Sequence, residues 1–139
     1  IFADRSGTVV NIEGSATNAA MTTLDPAGVL VHTNHYVCPS MLGYEDDHAY
    51  AKRSSVRFER GTELLEAAAR MPGSVTQEAL MVMLGDHENA PDSLCRHPVP
   101  GNNTKTVFWC VTDMSDGQIT FGKGNPCDST PQTFRIENH

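Results

Sequence analysis

The sequence predicts an α+β fold built on an antiparallel sheet. Segments rich in β-branched and aromatic residues lie near both ends of the 139-residue chain, and helical periodicity is confined to the middle. The segment 105–122 also contains two apolar runs separated by Ser115-Asp116-Gly117, which predicts a hairpin. Strands followed by helices and then by strands are typical of α+β domains.

Residues 1–32 are predicted to form strands joined by turns. Thr8–Glu13 follows a Ser6-Gly7 turn and alternates loosely with β-branched residues. Val29–His32 is a short apolar run that predicts a buried strand, and the polar residues after it mark the end of that strand. The acidic stretch Cys38–Tyr50, with its proline and glycine, is predicted to be a loop.

Two helices are expected in the middle of the chain. The first is predicted over about 54–70, because Met71-Pro72-Gly73 ends the periodic pattern. The second is predicted to begin at Ser74, with Gln77 completing a capping box, and to end at Gly85. Thr133–Ile136 is predicted to be a last edge strand.

Composition narrows the classes of partner. Ten basic and 17 acidic residues give a formal charge of −7, which argues against nucleic acid because phosphate binding needs a basic face. No apolar run approaches the roughly 18 to 20 residues of a membrane span. The four cysteines are far apart and form no CxxC pair, so we expect free thiols and no metal site. The compartment stays open, with the cytoplasm slightly favoured.

Three short clusters could carry chemistry. His32–His35 contains an asparagine whose side-chain NH₂ could donate to an oxyanion, or could equally satisfy a turn. Arg57 and Arg60 lie on one helix face and could hold a carboxylate, or be ordinary solvated charges. Ser93–His97 places a thiol, a guanidinium and an imidazole side by side, although neighbours in sequence need not meet in space.

Five segments together carry a resemblance. The chain resembles the C-terminal part of the acyl-coenzyme A:6-aminopenicillanic acid acyltransferase family, the cysteine-nucleophile branch of the N-terminal-nucleophile hydrolases. The matching segments are NIE at Asn11–Glu13, GVLVHTNHY at Gly28–Tyr36, SSVRFER at Ser54–Arg60, DHENAPDSLCRH at Asp86–His97 and GNPC at Gly124–Cys127. They follow the family's order over nearly the whole chain.

The resemblance implies a four-layer αββα sandwich and a precursor that cuts itself to free an N-terminal cysteine nucleophile. Asn34 would match the oxyanion donor of the family's HTN motif, and Arg57 would match an arginine beside the nucleophile, although Arg60 could be the aligned residue. Five further residues of the matching motifs are predicted to contact the substrate: His35, Tyr36, Ser93, Cys95 and Arg96. No metal or organic cofactor is implied, and coenzyme A would be a co-substrate only for acyl transfer.

The sequence departs from the family pattern at the nucleophile. The family's nucleophilic cysteine precedes the HTN motif by over a hundred residues, and Ile1 is not a nucleophile. Residues 1–139 are therefore expected to be the C-terminal portion of one domain, whose partner is the remaining, nucleophile-bearing polypeptide. The expected function is amide cleavage or acyl exchange on a small-molecule or peptide-like amide through a thioester. The alternative is a non-catalytic binding module that kept the fold and lost the nucleophile.

Overall fold

The computed structural model describes residues 1–24 and 28–136 and confirms the α+β class. It contains two three-stranded antiparallel sheets and two α-helices. The chain divides into two compact units, Ile1–Thr62 and Glu63–His139, and the longer helix crosses the boundary between them. The four-layer αββα arrangement, and the assignment of residues 1–139 to the C-terminal portion of a longer domain, stay predictions.

The first sheet consists of β1 (Phe2–Ala3), β2 (Val9–Gly14) and β3 (Ala19–Thr23), with β2 in the centre. Side chains of a strand alternate between its two faces. On β2 the buried face carries Asn11 and Glu13, whereas Ile12 on the opposite face is exposed. The first unit therefore buries polar groups on its central strand, and such groups need hydrogen-bond partners.

The predicted strand at Val29–His32 is wrong. Residues 28–32 have no regular secondary structure and no strand partner among the described residues. Val29, Leu30 and Val31 instead line a cavity of about 380 Å³ beside Phe58. An apolar run indicates that its side chains are buried, but a strand also needs a neighbouring backbone to accept and donate its hydrogen bonds.

Helix α1 spans His48–Ala69 and so begins six residues before the predicted start. Asp47 initiates it, because its Oδ1 accepts from the Tyr50 N–H at 2.9 Å and its carbonyl accepts from the Ala51 N–H at 2.8 Å. A 3₁₀ turn at Leu42–Tyr44 precedes it, so the predicted loop at Cys38–Tyr50 is only partly irregular. The acidic segment Cys38–Tyr50 therefore contains the N-cap of α1, Asp47, and aspartate is a common N-cap residue.

Helix α2 spans Gln77–Leu84, three residues after the predicted start at Ser74. Thr76 is the N-cap, and its side chain accepts from the Ala79 N–H at 3.2 Å. Gly85 ends the helix as predicted. Threonine and serine are both good N-caps, so the sequence alone is compatible with a start at Ser74 or at Thr76. In the structure Thr76 is the N-cap.

The second sheet confirms the predicted hairpin and edge strand. Strand β4 (Phe108–Asp113) pairs with β5 (Gln118–Lys123), which pairs with β6 (Gln132–Arg135). Trp109 and Val111 are buried on the face that α2 contacts, and Gln77 of α2 donates to Thr120 Oγ1 at 2.8 Å. The helices within the described ranges include none with the length and apolarity that crossing a membrane requires.

Gly122 makes room for Trp109 in this core. A Cβ at position 122 would lie 2.5 Å from Trp109 Nε1 and 2.7 Å from Ser129 Oγ, the two atoms that share a 2.7 Å hydrogen bond. We therefore expect Gly122→Ala to lower the free energy of unfolding by about 1–3 kcal/mol through overpacking. Gly43→Ala is the control, because a Cβ there meets nothing within 4 Å. Thermal unfolding of both variants measures the difference, and equal melting temperatures would contradict it.

Candidate functional site

The buried carboxylate of Glu13 organises the first unit. It accepts from the backbone N–H of Val37 at 3.1 Å and of Cys38 at 3.0 Å, from Asn11 Nδ2 at 3.1 Å, and it lies 3.2 Å from His32 Nε2. Burial alone raises the pKa of Glu13, but the donated hydrogen bonds outweigh it and hold the pKa below its ordinary value. Glu13 therefore binds both ends of the segment 32–38 to β2.

Ser54 of α1 holds the middle of that segment. Its fully buried hydroxyl accepts from the Asn34 N–H at 2.7 Å and lies 3.0 Å from both Thr33 Oγ1 and His35 Nδ1. The Thr33 hydroxyl also donates to the Ser54 carbonyl at 3.2 Å. The turn at Thr33–Asn34 is thus fixed to the helix by backbone and side-chain hydrogen bonds together.

Arg57, one helical turn after Ser54, fixes the Asn34 side chain. Its Nη2 donates to Asn34 Oδ1 at 3.0 Å, and its Nη1 donates to the Arg53 carbonyl at 3.0 Å. Arg57 is buried whereas Asn34 is exposed, so a rigid guanidinium holds an amide at the surface. Oδ1 accepts from Arg57, and the hydrogen bonds of Asn34 to the described residues use its N–H and Oδ1 but not Nδ2, which can donate two hydrogen bonds.

A cavity of about 380 Å³ adjoins this amide. It is lined by residues 32–36, by Tyr44 and by three acidic residues, Glu45, Asp46 and Asp47. The carboxylate of Glu45 accepts from the Tyr36 N–H at 3.2 Å, and the other two acidic residues add negative charge to the lining. The cavity therefore favours a cationic or neutral group beside the Asn34 amide.

The two predicted substrate residues next to Asn34 have structural contacts. His35 packs edge-on against Phe58, with ring centroids 5.6 Å apart, and contacts Ser54 and Thr33 through Nδ1. The Tyr36 hydroxyl donates to the Gly14 carbonyl at 2.9 Å. Both residues line the cavity while fixing the segment that surrounds it, and their contact with substrate stays a prediction.

The other three predicted substrate residues belong to the second unit. Arg96 donates to Asp92 Oδ1 at 3.0 Å and to the Pro91 carbonyl at 3.1 Å, and Ser93 Oγ donates to the Cys95 carbonyl at 2.6 Å. Cys95 is fully buried. These contacts stabilise the loop that contains the residues, and a role in substrate binding is untested for each.

The expectation of no metal site, drawn from cysteine spacing, stays a prediction, but the second unit contains a cluster of potential metal ligands. One ligand atom from each of His87, Cys95, His97 and Cys127 lies within 4.8 Å of the others. Burial raises the pKa of the Cys127 thiol, and the hydrogen bond and charge of Cys95 raise it further. Cys95 and His97 form a C-x-H pair, which could have drawn attention to the cluster, but Cys127 is thirty-two residues away.

Glu13 and Ser54 were not predicted from the sequence as site residues. Glu13 lies in a segment that alternates only loosely, so no pattern marked its side chain as buried. Ser54 marked the start of the predicted helix, a position at which serine has an ordinary capping role. Their importance comes from the segment 32–38 folding between them, and that is a tertiary relationship.

The first unit of this α+β protein thus presents an exposed Asn34 amide whose oxygen accepts a hydrogen bond from a buried arginine. Comparison with protein families identifies the class to which the chain belongs. The family model for acyl-coenzyme A:6-aminopenicillanic acid acyl-transferase matches residues 1–128, and the chain therefore belongs to that family. This confirms the family predicted from the five motifs. A search of curated proteins finds no match.

Removing the Glu13 charge is expected to lower the free energy of unfolding at neutral pH. It is also expected to make that free energy depend less on pH in the acidic range. The folded pKa lies below the ordinary value of 4.5, so the ionised carboxylate stabilises the fold above that pH. The stabilisation is lost as the pH falls through the folded pKa. Glu13→Gln should therefore have a lower free energy of unfolding at neutral pH and a smaller loss below pH 4.5.

Denaturant unfolding at neutral and acidic pH measures this effect. Glu59→Gln is the matched control, because Glu59 is exposed on α1. An identical acid dependence in Glu13→Gln and the unsubstituted protein would contradict the stabilising role of the carboxylate.

Ser54→Ala should destabilise the protein by about 1–3 kcal/mol, because it removes the acceptor of the Asn34 N–H inside the fold. The adjacent Ser55→Ala is the control, since the Ser55 hydroxyl only donates to the Lys52 carbonyl of its own helix at 2.9 Å. Its effect should stay within about 0.5 kcal/mol. Amide hydrogen exchange at Asn34 should accelerate in Ser54→Ala alone, and unchanged exchange would contradict the proposed contact.

Proposed function

We propose that this chain supplies the oxyanion donor of a cysteine-dependent amidohydrolase or acyltransferase. Family membership supports an acyltransferase-related activity, and the finer mechanism rests on one observation. The guanidinium of Arg57 holds Asn34 Oδ1, so that Nδ2 is the atom available to a substrate oxygen. A donor fixed before the reaction stabilises charge that develops only in the transition state.

The proposed reaction passes through a thioester. A cysteine thiolate attacks the carbonyl carbon of the acyl donor, and the oxygen of the tetrahedral intermediate becomes an oxyanion that accepts from Asn34 Nδ2. Collapse of the intermediate expels the leaving amine or thiol, which takes up a proton, and leaves the acyl group on sulfur. Water or an amine then attacks the thioester, loses a proton, and releases the cysteine.

Arg57 acts in this scheme as a positioning residue. Its contact is with the amide oxygen of Asn34, and its second hydrogen bond, to the Arg53 carbonyl, limits how far the guanidinium can move. The positive charge behind the amide also polarises it, which makes the N–H a stronger donor. Arg57 is therefore proposed to set the direction and the strength of one hydrogen bond.

The nucleophile is proposed to come from a further polypeptide segment that packs on this chain, as the αββα arrangement of the family implies. The outer face of the second sheet supports such packing. Phe108, Phe121 and Phe134 lie in a row across its three strands, with neighbouring centroids 5.6 and 5.5 Å apart. Phe108 and Phe134 are each 53% exposed, and large apolar patches of this kind mark interaction surfaces.

The family description suggests the first probes. An acyl-coenzyme A as donor and 6-aminopenicillanic acid as acceptor test acyl transfer, and an acylated amine without an acceptor tests hydrolysis. The acidic wall formed by Glu45, Asp46 and Asp47 favours donors or acceptors with a neutral or cationic group near the reacting carbonyl.

Asn34→Ala in the nucleophile-containing protein should lower kcat by about 100-fold or more, the usual cost of one lost oxyanion donor. KM and the melting temperature should change little, because Asn34 is exposed and its backbone contact to Ser54 remains. Asn34→Asp should be at least as damaging, since a carboxylate repels the oxyanion. Asn103→Ala, another exposed asparagine, is the control and should leave kcat unchanged.

Two results would overturn the proposal. A turn-forming asparagine would give a lower melting temperature in Asn34→Ala, retained activity per folded molecule, and rescue by aspartate. Arg57→Lys is a second test, of the positioning role of Arg57, because lysine keeps the positive charge but loses the guanidinium fork. We expect kcat to fall in this variant while KM is retained. If no acyl-enzyme accumulates with any acyl donor and ligands still bind, the chain is a binding module instead.

A further inference from the structure

A second cluster in the molecule has no part in the proposed reaction. It lies in the second unit and consists of His87, Cys95, His97 and Cys127, which we call the His₂Cys₂ cluster. His87 follows the C-terminal end of α2, Cys95 and His97 lie in the loop after it, and Cys127 lies in the turn after β5. Three separate parts of the unit thus contribute ligands to one point.

Backbone contacts bring these parts together. The Cys95 N–H donates to the Asp86 carbonyl at 2.9 Å, which closes the loop between His87 and Cys95. At Gly85 an added Cβ would lie 3.9 Å from the Cys127 Cα, so the turn after β5 passes directly beside the end of α2. The convergence is therefore set by the main chain and does not depend on flexible side chains alone.

Four of the ligand–ligand distances lie close to the edges of a tetrahedral metal site, and all six are within 4.8 Å. Zinc bonds of about 2.3 Å to sulfur and 2.0–2.1 Å to nitrogen give tetrahedral edges of about 3.8 Å between sulfurs, 3.6 Å between nitrogen and sulfur, and 3.3 Å between nitrogens. The two Sγ atoms are 3.6 Å apart and the two Nε2 atoms 3.0 Å apart. His97 Nε2 lies 3.3 Å from Cys127 Sγ and 3.7 Å from Cys95 Sγ.

Hydrogen bonding alone does not account for this arrangement. His97 Nε2 has three close neighbours, His87 Nε2 and the two sulfurs. An imidazole nitrogen carries either one proton or one lone pair in the ring plane, so it can satisfy only one of them well. A cation at the centre attracts all four atoms at once, with the ring protons on the two Nδ1 atoms.

The surroundings also suit a bound thiolate. Asn125 is buried, and its Nδ2 donates to Cys95 Sγ at 3.3 Å and to the Arg96 carbonyl at 2.7 Å. Ligands of metal sites are commonly held by such outer hydrogen bonds. The contacts of Ser93 and Arg96 within the loop hold Cys95 and His97 from the other side.

We infer that the His₂Cys₂ cluster binds one divalent zinc ion as a structural site. Two soft thiolates and two imidazoles in a tetrahedron select zinc, and four protein ligands leave no open position for catalysis. Binding releases one proton from each thiol that is protonated, and the two thiolates neutralise the charge of the ion. The ion would join the end of α2, the loop 86–97 and the turn after β5.

Metal binding by the reduced protein, stripped with a chelator, tests this inference. Zn²⁺ should bind with a stoichiometry of one per chain and raise the melting temperature. Co²⁺ should give the visible bands of tetrahedral coordination together with a near-ultraviolet thiolate charge-transfer band. Asn125→Ala should weaken Zn²⁺ binding by about 10- to 100-fold, and Cys127→Ser by more, because it removes a ligand.

The controls separate the cluster from other thiols and imidazoles. Cys110→Ser removes an exposed thiol of β4, and His48→Ala removes an exposed imidazole of α1; both should bind Zn²⁺ as the unsubstituted protein does. His87 is exposed, so His87→Ala tests a ligand without opening the core. It should remain folded, bind Co²⁺ more weakly and shift the visible bands, because water replaces one imidazole.

Four outcomes would overturn the inference, and the first three concern metal binding. They are no stoichiometric Zn²⁺ binding by the reduced protein, a Co²⁺ complex without a thiolate band, and equal loss of binding in Cys110→Ser. A Cys95–Cys127 disulfide that persists under reductant, seen as a mass lower by two hydrogens, would also overturn it. None of these measurements depends on activity, so their failure leaves the proposed function of Asn34 untouched.

Discussion

The buried carboxylate of Glu13 is the constraint on which the first unit depends. Removing a charge from water is costly unless hydrogen bonds replace the lost solvation, and Glu13 receives them from the backbone of Val37 and Cys38 and from the Asn11 side chain, with His32 alongside. These donors lie on β2 itself and at both ends of the segment 32–38. Folding that segment against β2 therefore satisfies the charge, and the charge in turn fixes the segment.

The orientation of the Asn34 amide depends on this arrangement. With the ends of the segment held by Glu13, the buried Ser54 hydroxyl and the Arg57 guanidinium of α1 are placed to hold its centre. The helix thus supplies both the hydroxyl that accepts from the Asn34 backbone N–H and the guanidinium that donates to the Asn34 side chain. Rigid elements position reactive groups more accurately than loops do, and here a loop residue gains that rigidity from a helix.

The polar groups of the two units are arranged in different ways. In the first unit they surround a cavity and leave one amide N–H group facing outward, which suits a transient negative charge. In the second unit four ligand atoms face one another, which suits a permanent positive charge. Membership of the acyl-coenzyme A:6-aminopenicillanic acid acyl-transferase family extends over both, since the matched residues 1–128 include Asn34 and Cys127 alike. We propose a catalytic role for the Asn34 amide and a structural role for the His₂Cys₂ cluster.

The sequence by itself determined the α+β class, the hairpin of β4 and β5, the end of α2 at Gly85 and the family, because each of these depends on local periodicity, turn residues or ordered motifs. It did not determine that Val29–His32 lacks a strand partner among the described residues, or that α1 begins at His48. Strand pairing and helix capping depend on neighbouring residues in space, which the periodicity of the sequence does not identify. Only the tertiary structure decided that Glu13, Ser54 and Arg57 surround one turn, and that Cys127 meets Cys95 and His97. Those contacts join residues about twenty to thirty positions apart, and their partners are fixed by the packing of whole elements rather than by spacing along the chain.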